Sequence, residues 1–295
     1  MQIANIIWEA LKESVSITLL VLALMAVIES INISSSGKVF QKLHGHPVAE
    51  VALACLLGAI PGCAGGFLVV SMFTHRMLSF GALIGGMIAT FGDEALFLAA
   101  QSPKYALILT GILYVIGFVV GLILQKIPEN KIVTLDDHQF VIHEEHQHTH
   151  TDPEDHHWRE RIVHFLREHV WEHVIKQHAL KLFLYAFGTL LLLGILNQYV
   201  DLQTIMEDNL WTKWLILLIA VAVGFLPVSG PHLIFVMLFL QGTLPFSILL
   251  ANSIAQNGHA GIPLMAQSRG NFLVMKGITM GLGLLVGALL LAVGS

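Results

Sequence analysis

The sequence predicts an all-α, multi-pass membrane protein made of two inverted five-segment repeats with broken half-helices. Three observations carry that expectation. The first is an internal repeat: residues 61–102 lie on residues 227–268 at a constant shift of 166 without a gap. Pro61/Pro227, Phe80/Phe246, Ile88/Ile254, Gly92/Gly258, Gln101/Gln267 and Ser102/Ser268 are identical, and the register holds through Gly111/Gly277, Gly117/Gly283 and Gly121/Gly287. The second is composition: 55% hydrophobic and 12% charged residues, with a mean hydropathy of +0.75, exclude an ordinary soluble protein. The third is that Pro and Gly interrupt the apolar runs at matching places in both copies, the mark of a transporter with its site between repeats.

The first copy reads as apolar segments at 14–33, 47–60, 64–75, 79–98 and 104–125. They recur at 180–199, 213–226, 230–241, 245–265 and 271–293. The runs do not alternate apolar and polar residues, which sets aside an outer-membrane barrel. The N-terminus lacks a basic start and a small-residue cleavage site, so the first helix is expected to be retained. Segments 47–60 and 64–75 are short against the roughly 20 residues a span needs. They are either two thin crossings or a re-entrant hairpin turning at Pro61-Gly62. Both give an odd number of crossings per repeat, hence inverted halves; one kinked helix across 47–75 would make the count even. Gly81, Gly85 and Gly86 read as close-packing positions.

Three regions follow: a first transmembrane repeat over 1–127, a cytoplasmic histidine-rich loop with an amphipathic helix over 128–170, and a second transmembrane repeat over 171–295. The loop holds His138, His143, His146, His148, His150, His156 and His157 among acidic residues, and its first part reads as disordered. From Trp158, Ile162, Phe165, Val170 and Val174 recur at near-helical spacing, as in a helix lying on the membrane surface. With the N-terminus outside, Lys38, Lys42, Arg76, Lys126, Lys131, Arg159, Arg161, Arg167, Lys176, Lys181, Arg269 and Lys276 fall inside, and only Lys12, Lys104 and Lys213 outside. Both termini are expected outside and the histidine loop in the cytoplasm.

Candidate site residues cluster at the breaks. Repeat one has Pro61-Gly62-Cys63-Ala64-Gly65-Gly66 and Gly92-Asp93-Glu94; repeat two has Pro227-Val228-Ser229-Gly230-Pro231-His232 and Asn257-Gly258-His259. The shift places Asp93 on His259 and Gly66 on His232. Ionisable groups at membrane depth are costly and mark function by default. Asp93, Glu94 and His259 are therefore the expected metal ligands, with Asn257, His232, Asn252 and Gln256 as further members, and Ser229 and Ser253 behind them. Oxygen and imidazole donors suit Mn²⁺, Zn²⁺, Fe²⁺, Co²⁺ or Ni²⁺. The plainer readings are that Asp93 or Glu94 caps the half-helix after Gly92, that His232 caps the helix after Pro231, and that Asn252 and Ser253 bond between helices. Glu29 would guard the inner mouth or sit in the interface. His143, His146, His148 and His150 would collect metal on the inner side, or form a solvated linker.

Two cysteines, Cys55 and Cys63, give no disulfide framework and little soft-metal capacity. No basic patch points to nucleic acid, and no phosphate-binding loop motif occurs. His169 to His173 matches an inverted zinc-protease pattern, but no soluble domain surrounds it to supply a third ligand.

With its duplicated unit, its Gly92-Asp93-Glu94 and Asn257-Gly258-His259 breaks and its histidine-rich loop, the chain resembles the ten-helix heavy-metal exporters of bacteria and archaea, variously labelled arsenic-efflux-like proteins or manganese transporters. The resemblance implies metal efflux, manganese the favoured metal. Arsenic fits poorly, because only Cys55 and Cys63 offer thiolates. The expectation is a secondary exporter, not an enzyme, with no resident cofactor. Its partners are the metal, protons or another coupling cation, and the bilayer; a homo-oligomer stays open. The rivals are a transporter of an anion or small organic solute, a membrane metal sensor or scaffold, and an intramembrane metalloenzyme.

Overall fold

The computed structural model describes residues 6–19 in part, 46–126 apart from 63 and 75, 180–199, and 210–294. The histidine loop, the amphipathic helix from Trp158, Glu29, Cys63 and most of the first expected span lie outside the described residues. The described residues form helices and turns only.

In chain order the first half contains α1 (Pro47–Gly58), α2 (Ala64–Thr74), α3 (Phe80–Ala89), α4 (Glu94–Gln101) and α5 (Pro103–Leu124). After α6 (Leu180–Tyr199), the second half contains α7 (Leu210–Val223), a 3-10 turn (Gly230–His232) running into α8 (Leu233–Leu240), and α9 (Phe246–Ala255). A second 3-10 turn (Gly258–Ala260), α10 (Gly261–Gln267) and α11 (Arg269–Val293) complete it. The breaks expected at Gly92 and Gly258 are present, and the two halves share one succession of helices and interruptions. Phe80–Gln101, Pro103–Leu124 and Arg269–Val293 are long and apolar enough to cross a membrane.

The chain turns back on itself between α1 and α2. Gly62 has a φ of 97°, open to glycine without strain. Gly65 passes so close to Leu57 that a Cβ there would lie 1.9 Å from the Leu57 carbonyl oxygen. This is a hairpin, and a single kinked helix over 47–75 is ruled out. Its tip reaches the next break: the Gly62 N–H donates to the Gly92 carbonyl at 3.0 Å.

Within each half the same partners meet. Helix α3 packs on α1, α2 and α5, as α9 packs on α7, α8 and α11. Every residue of α3 is buried. By contrast α5 and α11 each bury one stripe and expose another. On α5, Ala106, Leu109, Leu113, Gly117 and Gly121 face inward while Leu107, Val115, Val119 and Ile123 are exposed. Leu285, Leu289 and Val293 form the matching outer stripe of α11. An exposed apolar stripe on a buried-on-one-side helix is the lipid-facing pattern.

Glycines bring the backbones together. A Cβ on Gly85 would stand 2.8 Å from the Gly117 carbonyl oxygen, and one on Gly117 would stand 2.4 Å from that of Gly85. The second half repeats the contact, with a Cβ on Gly283 falling 2.6 Å from the Ala251 oxygen. Small residues at such seams allow close approach where apolar lipid offers helices no hydrophobic drive to associate. Contacts between halves come in exchanged pairs. Helix α2 meets α10 and α8 meets α4; α3 meets α11 and α9 meets α5; α3 and α9 meet each other.

One charge departs from expectation. Lys276 is not at the inner surface; it is buried in α11 at 1% exposure, so it leaves the count of inner charges. The reason is local: two backbone carbonyls receive its ammonium.

Gly117→Leu should overpack the α3–α5 seam and destabilise the protein near the top of the about 1–3 kcal/mol range for overpacked cores. Gly111→Leu, where a Cβ meets nothing within 4 Å, should not. Thermal unfolding of both variants in detergent checks this, and equal midpoints would refute the seam.

Candidate functional site

The site grows from two glycines that the repeat makes equivalent. Gly92 has a φ of 65° and Gly258 a φ of 52°, so both breaks use the left-handed region that favours glycine. They also face each other. A Cβ on Gly92 would lie 3.7 Å from the Gly258 Cα, and a Cβ on Gly258 would lie 3.6 Å from the Gly92 Cα. The hairpin tips close around this crossing. Ser229 Oγ would be 3.6 Å and 3.4 Å from those two Cβ positions, and a Cβ on Gly66 would be 2.6 Å from Ala260 Cβ.

The turn after Gly92 sets Asp93 at the cap position of α4, where its side chain makes no cap hydrogen bond. It points across the halves instead: Asp93 Oδ2 lies 3.9 Å from His259 Nδ1. Ser229 Oγ stands 3.2 Å from the same Nδ1. The pair is accessible, since the His259 side chain is 34% exposed and that of Asp93 13%. Glu94 is fully buried, and neither of its carboxylate oxygens has a hydrogen-bond partner on another described residue. Asp93 therefore does not cap the half-helix, and Glu94 lies in its first turn.

The other expected members have different work. Gln256 Nε2 donates to the Phe91 carbonyl at 3.0 Å, and Gln256 Oε1 accepts the Gly258 N–H at 2.8 Å. Asn257 Nδ2 donates to the Met87 carbonyl at 3.0 Å, and its Oδ1 is buried without a partner among the described residues. These two amides stitch the break of the second half to the first. His232 and Asn252 form a separate buried network. Asn252 Nδ2 donates to the Ala220 carbonyl at 2.8 Å and lies 3.1 Å from His232 Nδ1, while His232 Nε2 lies 3.5 Å from the Leu226 carbonyl. Ser253 bonds within its own helix, to the Leu249 carbonyl. Among the described residues no three His, Cys, Asp or Glu side chains stand together to hold one metal ion. The structure brings together Asp93, His259 and Ser229; it does not join Glu94 or His232 to them as one ligand group.

Sequence reasoning missed the polar stripe on α11: Asn271, Lys276 and Thr279 are all buried. The signal was present, because Lys276 stands alone among Met275, Gly277 and Ile278 and a lone charge inside a span is itself a mark.

Losing the Gln256 bridge leaves a buried carbonyl and a buried N–H unpaired. Gln256→Leu should therefore destabilise by about 1–3 kcal/mol per stranded group. Glu94→Gln, which removes a buried carboxylate with no partner on another described residue, should not lower the thermal midpoint in metal-free buffer. A fall for Glu94→Gln as large as for Gln256→Leu would show that the Glu94 carboxylate holds the fold together.

The chain matches no curated protein and no solved structure. A family model does match, over residues 3–198 and 190–274, and its description reads "Putative, 10TM heavy-metal exporter". With that match over most of its length, and with broken apolar helices meeting at a carboxylate and an imidazole, the chain is a membrane protein that belongs to this ten-transmembrane heavy-metal exporter family.

Proposed function

We propose that the chain is a secondary-active exporter of a divalent transition metal, manganese favoured, which takes the ion between two inverted halves. The observation that carries this reading is the meeting of Asp93 and His259, equivalent residues from different halves, 3.9 Å apart beside the Gly92–Gly258 crossing. One carboxylate, one imidazole, the Ser229 hydroxyl and water would give the mixed oxygen and nitrogen set that manganese accepts. Glu94, buried behind Gly92, is the reserve carboxylate; a change at the break would bring it to the ion. Carboxylate and imidazole bind metal only when deprotonated, so protons arriving from the far side would expel the ion.

The exchanged contacts between halves support a two-fold relation, and the charge distribution supports placing its axis in the membrane plane. Without Lys276, eleven basic residues fall inside against three outside. Each hairpin is then re-entrant, because its tip sits at the break of the next span. A helix of the twelve residues of α1 rises about 18 Å at 1.5 Å per residue, short of a bilayer core of about 30 Å. The histidine loop would gather metal at the cytoplasmic mouth.

Reconstituted vesicles test the reading. The protein should carry Mn²⁺ across, and Asp93→Asn or Glu94→Gln should abolish both flux and cellular metal tolerance with membrane insertion intact. Full activity in both variants would remove the site. Deleting 138–156 should weaken apparent affinity without stopping transport; a complete loss in a folded variant would make the loop part of the pathway.

Orientation is decided by single cysteines at position 2, at Gln147 and at position 295 in a cysteine-free background. An impermeant reagent added outside should label both termini and spare Gln147. Labelling of all three from one side would make the halves parallel and the shared site untenable.

A further inference from the structure

Lys276 has no cationic counterpart in the first half. The 166 shift puts Thr110 opposite Lys276 and Leu113 opposite Thr279. Lys276 Nζ donates to the Gly224 carbonyl at 2.7 Å and to the Ala255 carbonyl at 3.3 Å. Gly224 follows the last residue of α7, and Ala255 is the last residue of α9. The ammonium thus joins the C-terminal ends of two broken helices, where unsatisfied carbonyls gather partial negative charge. Thr279 Oγ1 adds a weaker bond to the same Ala255 oxygen at 3.5 Å.

Burying an ammonium at 1% exposure is expensive unless carbonyls replace its water. Here they do, in the geometry by which broken-helix transporters hold a dissolved coupling cation at half-helix C-termini. The difference is that this cation is covalently tethered, and the one thing it can exchange is a proton.

We propose that Lys276 is the coupling-cation residue of the transporter: its ammonium takes the place of a dissolved sodium ion at the ends of α7 and α9, and gain and loss of one proton couples transport to the proton gradient. The inference rests on the export reading above. Protonated, Lys276 ties α11 to both helix ends. Giving its proton to water leaves a neutral amine, which no longer answers the negative ends of α7 and α9. The tie then weakens, and a proton from the other side restores it. Of the elements packed on α11, helix α7 carries Lys213 in its first turn and the turn after it leads to His232; α9, α10 and α3 carry no titratable residue.

The test uses the whole protein in voltage-clamped vesicles with Mn²⁺ as the probe. Metal-for-metal exchange without a pH gradient measures the export reading alone. Accumulation driven by a one-unit pH gradient measures coupling, and one proton supports about tenfold accumulation per unit. Wild type should accumulate equally in sodium and choline buffers. Lys276→Gln and the permanently charged Lys276→Arg should both keep exchange and lose about tenfold in accumulation. Wild-type accumulation in both variants overturns the proposal, as does loss of exchange together with accumulation, which would make Lys276 merely structural. A sodium requirement in wild type also overturns it. If wild type exchanges metal yet ignores the pH gradient, the coupling role falls and the export reading stands. If wild type exchanges no metal, the export reading itself fails.

Discussion

Backbone hydrogen bonding inside an apolar interior is the constraint on which this molecule turns. A spanning segment must satisfy its own N–H and C=O groups, so a break is tolerated only where other protein covers it. Here each break is covered by another. The Gly62 N–H caps the Gly92 carbonyl, Gln256 answers both the Phe91 carbonyl and the Gly258 N–H, and Asn257 answers Met87. The first hairpin tip and the breaks at Gly92 and Gly258, each costly alone, become mutually satisfying where they meet at the Gly92–Gly258 crossing. A side chain at either position would be strained by the left-handed backbone, and at Gly92 its Cβ would also stand 2.7 Å from a carboxylate oxygen of Glu94.

The halves share a frame and divide the chemistry. The first half brings carboxylates, Asp93 and Glu94; the second brings His259, Ser229, the bridging amides and the buried ammonium of Lys276. That asymmetry is what the proposed export cycle needs from two halves built on one frame. Symmetry fixes where equivalent residues meet. Divergence at those positions makes one partner a carboxyl group and the other an imidazole. The same logic separates Lys276 from Thr110: one frame position carries an amine in one half and a small polar side chain in the other.

Much of this architecture was legible in the residues. Gly117/Gly283 and Gly121/Gly287 in register announced the seams, and Pro61/Pro227 with Gly92/Gly258 announced the breaks, because glycine and proline act locally and leave a local mark. The pairing of Asp93 with His259 followed from the shift. What stayed hidden depended on the direction of side chains. His232 aligned with Gly66 and was expected at the site, yet its ring turns to Leu226 and Asn252. Gln256 and Asn257 were expected as ligands, and the amide nitrogens of both are committed to carbonyls of the first half. Lys276 was taken for a surface charge because the positive-inside count treats every lysine near a helix end alike, whereas two helix termini can draw one inward.

The distribution of close contacts also says where movement is affordable. Inside each half, backbone rests on backbone along the α3–α5 and α9–α11 seams, with no flexible side chain to yield. Packed interfaces of that kind switch between discrete arrangements or stay fixed; they do not deform continuously. Between halves the contacts are of another sort. At Gly66 against Ala260 a hairpin tip meets the opposite break through one methyl group, and Asp93 and His259 meet side chain to side chain at 3.9 Å. On the proposed export reading, alternating access is cheapest as a rocking of one half against the other about the glycine crossing, with the α2–α10 and α8–α4 contacts opening in turn. The tie from Lys276 to α7 and α9 lies within the second half, where it adds α7 to the backbone seam that already joins α11 to α9.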